Sequence, residues 1–347
     1  MEDSAALARI ERACEQETDA RSLRERILAE LRRAMRVDAY AFVMTDPESE
    51  VGVDPLAEVP CLPELPTLVR LKYLTDVNRW TSLTSAAGLR AATGDQPDDS
   101  LVWRELLRRY DIGDVASLVF RDRFGCWGFL DLWRAGADAR FGGTELEFLT
   151  RLADPVTRAL RRAQARALLE RPTQRPGTGP VVLLLSPQLE VLGQTPQTPE
   201  YLRTLLPSAP GATPVPAVAY NVAAQLLAVE AGVDAHAPVA RVHLTEGRWL
   251  TVRADRLAVD EAVGRRPIAV TIETASPSER SDLFARAFGL SPRESELLAH
   301  LAAGRDTKET AALMFLSEYT IQDHLKAISA KTGVHTRRRL ISLVTGG

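Results

Sequence analysis

Start signals for helices recur at Ser291, Asp306, Ser317 and Thr336, spaced so closely that only a bundle of short helices can accommodate them. Ser291-Pro292-Arg293-Glu294 is a capping box with Pro at the first helical position, where the missing N–H costs nothing. Leu297, Leu298 and Leu301 form the apolar face of that helix, and Gly304 supplies the left-handed residue that stops it. Asp306 with Glu309 repeats the capping pattern for a short second helix containing Ala311 and Met314. Phe315 and Leu316 lead to Ser317, which caps a third helix. There Ile321, Leu325 and Ile328 share one face, leaving Tyr319, Gln322, Asp323, Lys326 and Ser329 turned outward. A fourth helix starts after Thr336 with Leu340, Ile341 and Val344 as its stripe, so residues 281–347 read as an all-α block.

Upstream the pattern changes. RPTQRPGTGP, Arg171 to Pro180, loses all apolar periodicity and reads as a linker. Before it, residues 1–170 read as one α+β domain. A helix spans Ser22 to Met35, a strand Ala39 to Thr45, and VASLVF and CWGFLDLWR form a hairpin of two long, partly buried strands. A helix follows, with Leu146, Leu149, Leu152, Val156 and Leu160 at spacings of three and four. After the linker, residues 181–275 give a strand VVLLL, a short strand around Leu189 to Leu192, and helices near Pro199 to Leu206 and Ala217 to Glu230. RVHLTEGRWLTVRA then makes a hairpin about Glu246-Gly247 with Val242, Leu244, Leu250, Val252 and Ala254 on one buried face, and Ile268 to Ile272 forms a last strand.

A length of 347 residues suits two or three domains at about 100 to 200 residues each. Lys and Arg number 43 against 46 Asp and Glu, so any nucleic-acid surface must be local. The first thirty residues carry charge throughout and no apolar core, which predicts no secretory signal. Val215 to Val233 is interrupted by Asn221, Gln225 and Glu230 and reads as a soluble helix, with no membrane partner expected. Cys14, Cys61 and Cys126 lack any CxxC pairing and suit reduced thiols in a cytoplasm. Carboxylate pairs such as Asp98-Asp99 read as solvated turns, and there is no GxSxG, P-loop, HExxH or GxGxxG after a strand, so no catalytic or metal site is expected.

A short helix, a tight turn and a second capped helix with a polar outer face form a helix-turn-helix, whose second helix can enter a major groove while its inner face stays buried. The run from Leu290 to Leu340 resembles the DNA-binding domain of LuxR-type transcriptional regulators, on Leu290, Arg293, Glu294, Gly304, Ser317, Thr320, Ile321, His324, Lys331, Gly333, Val334 and Arg337. Thr310 stands where the family usually has Ile, implying a more polar edge to the second helix, and Gln322 where it often has Lys. The resemblance implies that Gln322, Asp323 and Lys326 face bases: Gln can bridge adenine, Asp accept from cytosine and Lys donate to guanine. It implies that Ser317, beyond its capping role, belongs to the DNA-binding surface, that Lys308, Thr320, Lys331 and Arg337 meet phosphates, and that His324 is structural. Lys331 to Arg339 holds four cationic side chains plus His335, a local basic footprint.

The N-terminal block resembles a GAF domain, in element order and in WGFLDLWR followed by FGGTELEFLTRLADPVTRAL. The middle block follows the strand and helix order of a degenerate PAS domain. Together they imply a multidomain sensor: GAF-like α+β at 1–170, PAS-like α+β at 181–275 and an all-α output domain at 281–347. The cofactor is left open, because all five histidines lie beyond the linker, which disfavours haem, a His-rich metal site or a bilin at Cys126. Trp80, Trp103, Trp127 and Trp133 are read as core rather than as a ligand cage. The expected protein is a cytoplasmic, non-enzymatic regulator binding double-stranded DNA as a homodimer under a small-molecule effector, with RNA polymerase a further candidate partner. The alternative is a ligand-binding adaptor whose C-terminal helices bind a protein.

Overall fold

The computed structural model describes residues 2–170, 181–198, 215–244, 248–257 and 266–346. Helices α1 (Glu2–Gln16) and α2 (Ala20–Ala34) pair at the N-terminus. Asp19 caps α2 by accepting from the backbone N–H groups of Arg21 and Ser22 at 3.0 and 2.9 Å. Strands β1 (Ala39–Thr45) and β2 (Gly52–Glu58), helix α3 (Leu65–Leu74), the short β3 (Ala87–Gly88), α4 (Leu89–Ala92) and α5 (Leu101–Glu105) follow. Strands β4 (Ile112–Asp122) and β5 (Gly125–Ala135) then lead to the long α6 (Gly143–Leu169). The sheet is antiparallel in the order β2-β1-β5-β4-β3.

The sequence predicts partial burial for β4 and β5, yet residues 112–120 and 126–134 are buried on both faces. Their near-continuous apolar runs are the signature of a strand covered on two sides. Helix α6 lies across β4 and β5, burying Phe148, Leu149, Leu152, Val156 and Leu160, and α3 covers the opposite face. Gly125 closes the β4–β5 turn at φ +150°, where an added Cβ would lie 2.2 Å from the Pro47 carbonyl oxygen.

The second sheet contains β6 (Val181–Leu185), β7 (Val191–Gln194), β8 (Val239–Leu244), β9 (Arg248–Arg256) and β10 (Ile268–Thr274), with α7 (Ala217–Glu230) between β7 and β8. Its order, β7-β6-β10-β9-β8, repeats the path of the first sheet strand for strand. Val242 lies opposite Leu250 and Ala240 opposite Val252, all buried, as the alternation predicts. The strand expected from Leu189 begins two residues later, because Leu189 takes a left-handed turn conformation (φ +65°) and donates to Ser186 O at 2.8 Å. The expected linker at 171–180, the helix at 199–206 and the turn at Glu246-Gly247 lie outside the described residues.

Two buried ion pairs and one helix join the two sheets. Helix α7, AVAYNVAAQLLAVE, is apolar on nearly every face and packs both on its own sheet and on α3 and β2, as such a helix must to hide its surface. Arg241 donates to Asp46 through its backbone N–H (2.8 Å), Nε (2.7 Å) and Nη2 (2.7 Å). Arg79 pairs with Asp234 at 2.7 Å, both side chains 3% exposed. The three cysteines are free thiols that burial pushes up to about 11. Among the described residues no helix is long and apolar enough to cross a membrane.

Candidate nucleic-acid interface

The C-terminal domain is entered through α8 (Pro277–Ala287), which begins four residues before the predicted onset of the helical block. Its start is set by a capping box of Ser276 and Glu279. Arg280 ties α8 to the chain end and to α6, donating to Leu343 O at 2.6 Å and Leu168 O at 3.4 Å. The predicted helices follow as α9 (Pro292–Ala302), α10 (Thr307–Met314), α11 (Glu318–Thr332) and α12 (Arg337–Thr345). Each starts at the predicted cap: Ser291, Asp306, Ser317 and Thr336 accept from backbone N–H groups three residues on. Gly304 takes the left-handed stop, at φ +79°.

Helices α10 and α11 form the two arms of the helix-turn-helix. Met314 and Ala311 on one and Ile321 and Ile328 on the other are buried, fixing the angle between them. The expected polar edge at Thr310 is not there. Thr310 is 0% exposed, and its hydroxyl donates back to Asp306 O at 2.6 Å, satisfying itself inside the packing. The turn residue Phe315 takes φ +56° and is 95% exposed, a site the sequence reading treated as a plain connector.

The outer face of α11 carries Tyr319, Gln322, Asp323 and Lys326, all exposed to solvent and uncovered by the two α+β domains. Lys326 Nζ lies 3.1 Å from Asp323 Oδ1 and 6.0 Å from the centroid of the Tyr319 ring, so two of the base-facing candidates pair with each other. Ser317 Oγ accepts from the Thr320 N–H at 3.1 Å and meets Thr320 Oγ1 at 2.9 Å, which holds the first turn of the helix. His324 is half-buried.

The cations expected at phosphates divide into two kinds. Lys308 is exposed and makes no ion pair among the described residues. Lys331 instead meets Glu294 Oε2 at 2.6 Å and donates to Gly289 O at 3.3 Å, closing the capping box of α9 from the end of α11. Burial pushes the Glu294 carboxyl up, but its bonds to Lys331 and Ser291 outweigh this and hold it below the usual range. Arg337 donates to Thr307 Oγ1 at 3.1 Å and to Arg305 O, clamping α12 to the start of α10. Arg338 and Arg339 beside it are exposed and without ion pairs among the described residues. The remaining His of the basic footprint, His335, shares a 3.0 Å hydrogen bond with Ser329.

No curated protein matches the chain. Residues 289–344, from the turn before α9 to the last turn of α12, match the bacterial regulatory proteins of the luxR family. The C-terminal domain is therefore a LuxR-type helix-turn-helix, the DNA-binding part of a transcription regulator.

Proposed function

We propose that the chain is a sequence-specific transcriptional regulator of the LuxR type, in which two sensory α+β domains control where the helix-turn-helix sits on duplex DNA. The observation that carries this reading is the solvated face of α11, whose Gln322, Asp323 and Lys326 stand clear of the protein while Ile321 and Ile328 anchor the helix beneath. Those three side chains read base edges. Ser317 and Thr320 frame the first turn, and Lys308, Arg338 and Arg339, which make no ion pair among the described residues, meet phosphates. Lys331 and Arg337 reach the backbone through the N–H donors their protein partners leave over. The GAF-like and PAS-like readings of the two upstream domains draw support from their shared strand order. The regulator acts in the cytoplasm as a homodimer that answers a small-molecule effector, its two reading helices about one helical turn apart.

The test is selection of genomic duplex fragments by the purified full-length chain across a salt series, beside Lys326→Ala. An inverted repeat whose enrichment falls steeply with salt and is lost in the variant is the expected result. Enrichment indifferent to both salt and Lys326 would remove the reading and favour an adaptor that binds protein. Sedimentation on and off that repeat should show a dimer; monomer alone at micromolar concentration would sink the dimeric part.

A further inference from the structure

A cavity of about 240 Å³ lies between the first sheet and α3, and the middle domain completes its wall through Ala217 and Asn221 of α7. Most of its surface is aliphatic, from residues such as Leu65, Leu68 and Leu107. One wall is polar. There Lys72 Nζ meets Asp131 Oδ2 at 2.8 Å, and Ser117 Oγ donates to Asp131 Oδ1 at 2.6 Å. Beside them stands Trp133, 3% exposed, whose indole N–H has no acceptor among the described residues.

Among the described residues Trp249 of the second sheet shares this lack of an acceptor, but the other tryptophans of the first sheet's half of the chain do not. The indoles of Trp80, Trp103 and Trp127 donate to Glu50 O, Ile112 O and Asp122 Oδ1 at 2.9, 2.8 and 3.0 Å, as core tryptophans do. A buried donor with no acceptor is unfavourable, and an indole can only donate. Lys72 keeps N–H donors beyond its one ion pair, and the Tyr73 hydroxyl, which accepts from the Gly52 N–H at 2.9 Å, keeps its own proton to give. Both Asp131 oxygens are engaged. Among the described residues, the buried polar atom of this wall left without a partner is thus a donor, the Trp133 indole N–H. The cavity's charges already cancel, so a ligand with net charge would arrive unbalanced in an apolar enclosure. For size, a cavity of about 150 Å³ holds benzene, so this one takes a molecule of about ten non-hydrogen atoms.

We infer that this cavity binds an uncharged, mostly apolar carbonyl compound of about ten non-hydrogen atoms, its oxygen accepting from the Trp133 indole and from Lys72. The occupant touches both α+β domains, because α7 forms part of the wall and is held there by Asn221 Nδ2 donating to Gly52 O at 2.8 Å. This deepens the sensory reading above and rests on it only for the effect on DNA.

Three probes of similar length separate the alternatives in the full chain: methyl heptyl ketone, decane, which lacks the acceptor, and nonanoate, which adds a charge. Indole N–H proton resonances are followed during titration, and the Trp133 signal is identified by its loss in Trp133→Phe. The ketone should displace that one signal, with decane binding at least about ten-fold more weakly, the worth of one buried hydrogen bond, and nonanoate no better than decane. Ala217→Phe, which fills the cavity from the α7 side, should abolish ketone binding while leaving Trp133 in place. Equal binding of ketone and decane, tighter binding of nonanoate, or no displacement of the Trp133 signal by any probe at its solubility limit would overturn the assignment. A ketone that binds as described yet leaves the affinity for the selected DNA repeat unchanged would support the ligand class and remove the sensory reading instead.

Discussion

Asp46 is 1% exposed and depends on Arg241 for its ionised form. Burial pushes its carboxyl up, and the charge and hydrogen bonds of Arg241 more than reverse this, holding it below the usual carboxylate range. Arg241→Met leaves that carboxylate buried and unpaired, so a loss of about 3–5 kcal/mol is expected in urea unfolding. A loss within error of zero would mean that the pair opens to water. A second titrating side chain, His243, lies against Trp249 with ring centroids 5.1 Å apart and planes tilted by 42°. Burial, helped by the charge of Arg280, pushes it down from 6.5 to about 4. The folded chain therefore holds this proton less readily than the unfolded one, and the corresponding stability is complete above pH 6.5 and lost as pH falls to about 4. Melting temperature should drop across that window, and His243→Gln should flatten the drop; an unchanged profile would assign it to other groups. Neither residue could be singled out in the sequence, because Asp46 and Arg241 are 195 positions apart and only the docked sheets bring them together. Lys331 and Glu294 were each singled out in the sequence, but not their pairing across 37 positions.

Helix starts are local events, and in the C-terminal block four of them were legible because a side chain caps its own backbone, whereas the caps at Asp19 and Ser100 were not read. Ser291, Asp306, Ser317 and Thr336 are all used as their spacing predicts. The start of α8 carries the same signal, since Ser276-Pro277-Ser278-Glu279 repeats the pattern of Ser291-Pro292-Arg293-Glu294 and could have been found by it. Sheet burial was less legible, because whether a strand is covered once or twice depends on helices far away in sequence. Helix α7 shows the limit: its apolar run announces burial but not that it faces two sheets. Its alanines allow that close approach, and Ala223 is 0% exposed, so a larger side chain there must be accommodated inside the packing. Ala223→Leu should cost about 1–3 kcal/mol in thermal or denaturant unfolding. A neutral outcome would show slack in the packing around α7.

Over the whole molecule, the C-terminal domain is held by several modest contacts. Helix α12 rests on α8 and α6, and Arg286 of α8 donates to Phe124 O at 3.1 Å at the tip of the first sheet. A fragment of residues 276–347 keeps every cap of this domain and the residues proposed to face bases, and it should bind the selected repeat on its own. Its logarithmic affinity should fall linearly with the logarithm of salt concentration, with a slope smaller by about one in Arg338→Ala. A folded fragment without affinity for duplex DNA would contradict the independence of this domain. The helix-turn-helix was legible as a unit because its signals are all within reach of one another. The cavity was not, since its walls come from strands, a helix and a second domain, and Trp133 looks in sequence like any core tryptophan.

The placement of α7 also bears on how such chains can be assembled from parts. A helix that belongs to the second sheet but roofs the first binds the two into one inheritable cassette. Recombination between the sheets would strand an apolar helix on one side and an open hollow on the other. A crossover just ahead of Ser276 severs no strand pairing and splits no helix, so a different C-terminal domain grafted there would have to replace only side-chain and packing contacts, chief among them those of Glu279 with Thr251 and Arg253 and of Arg280 with Leu168 O.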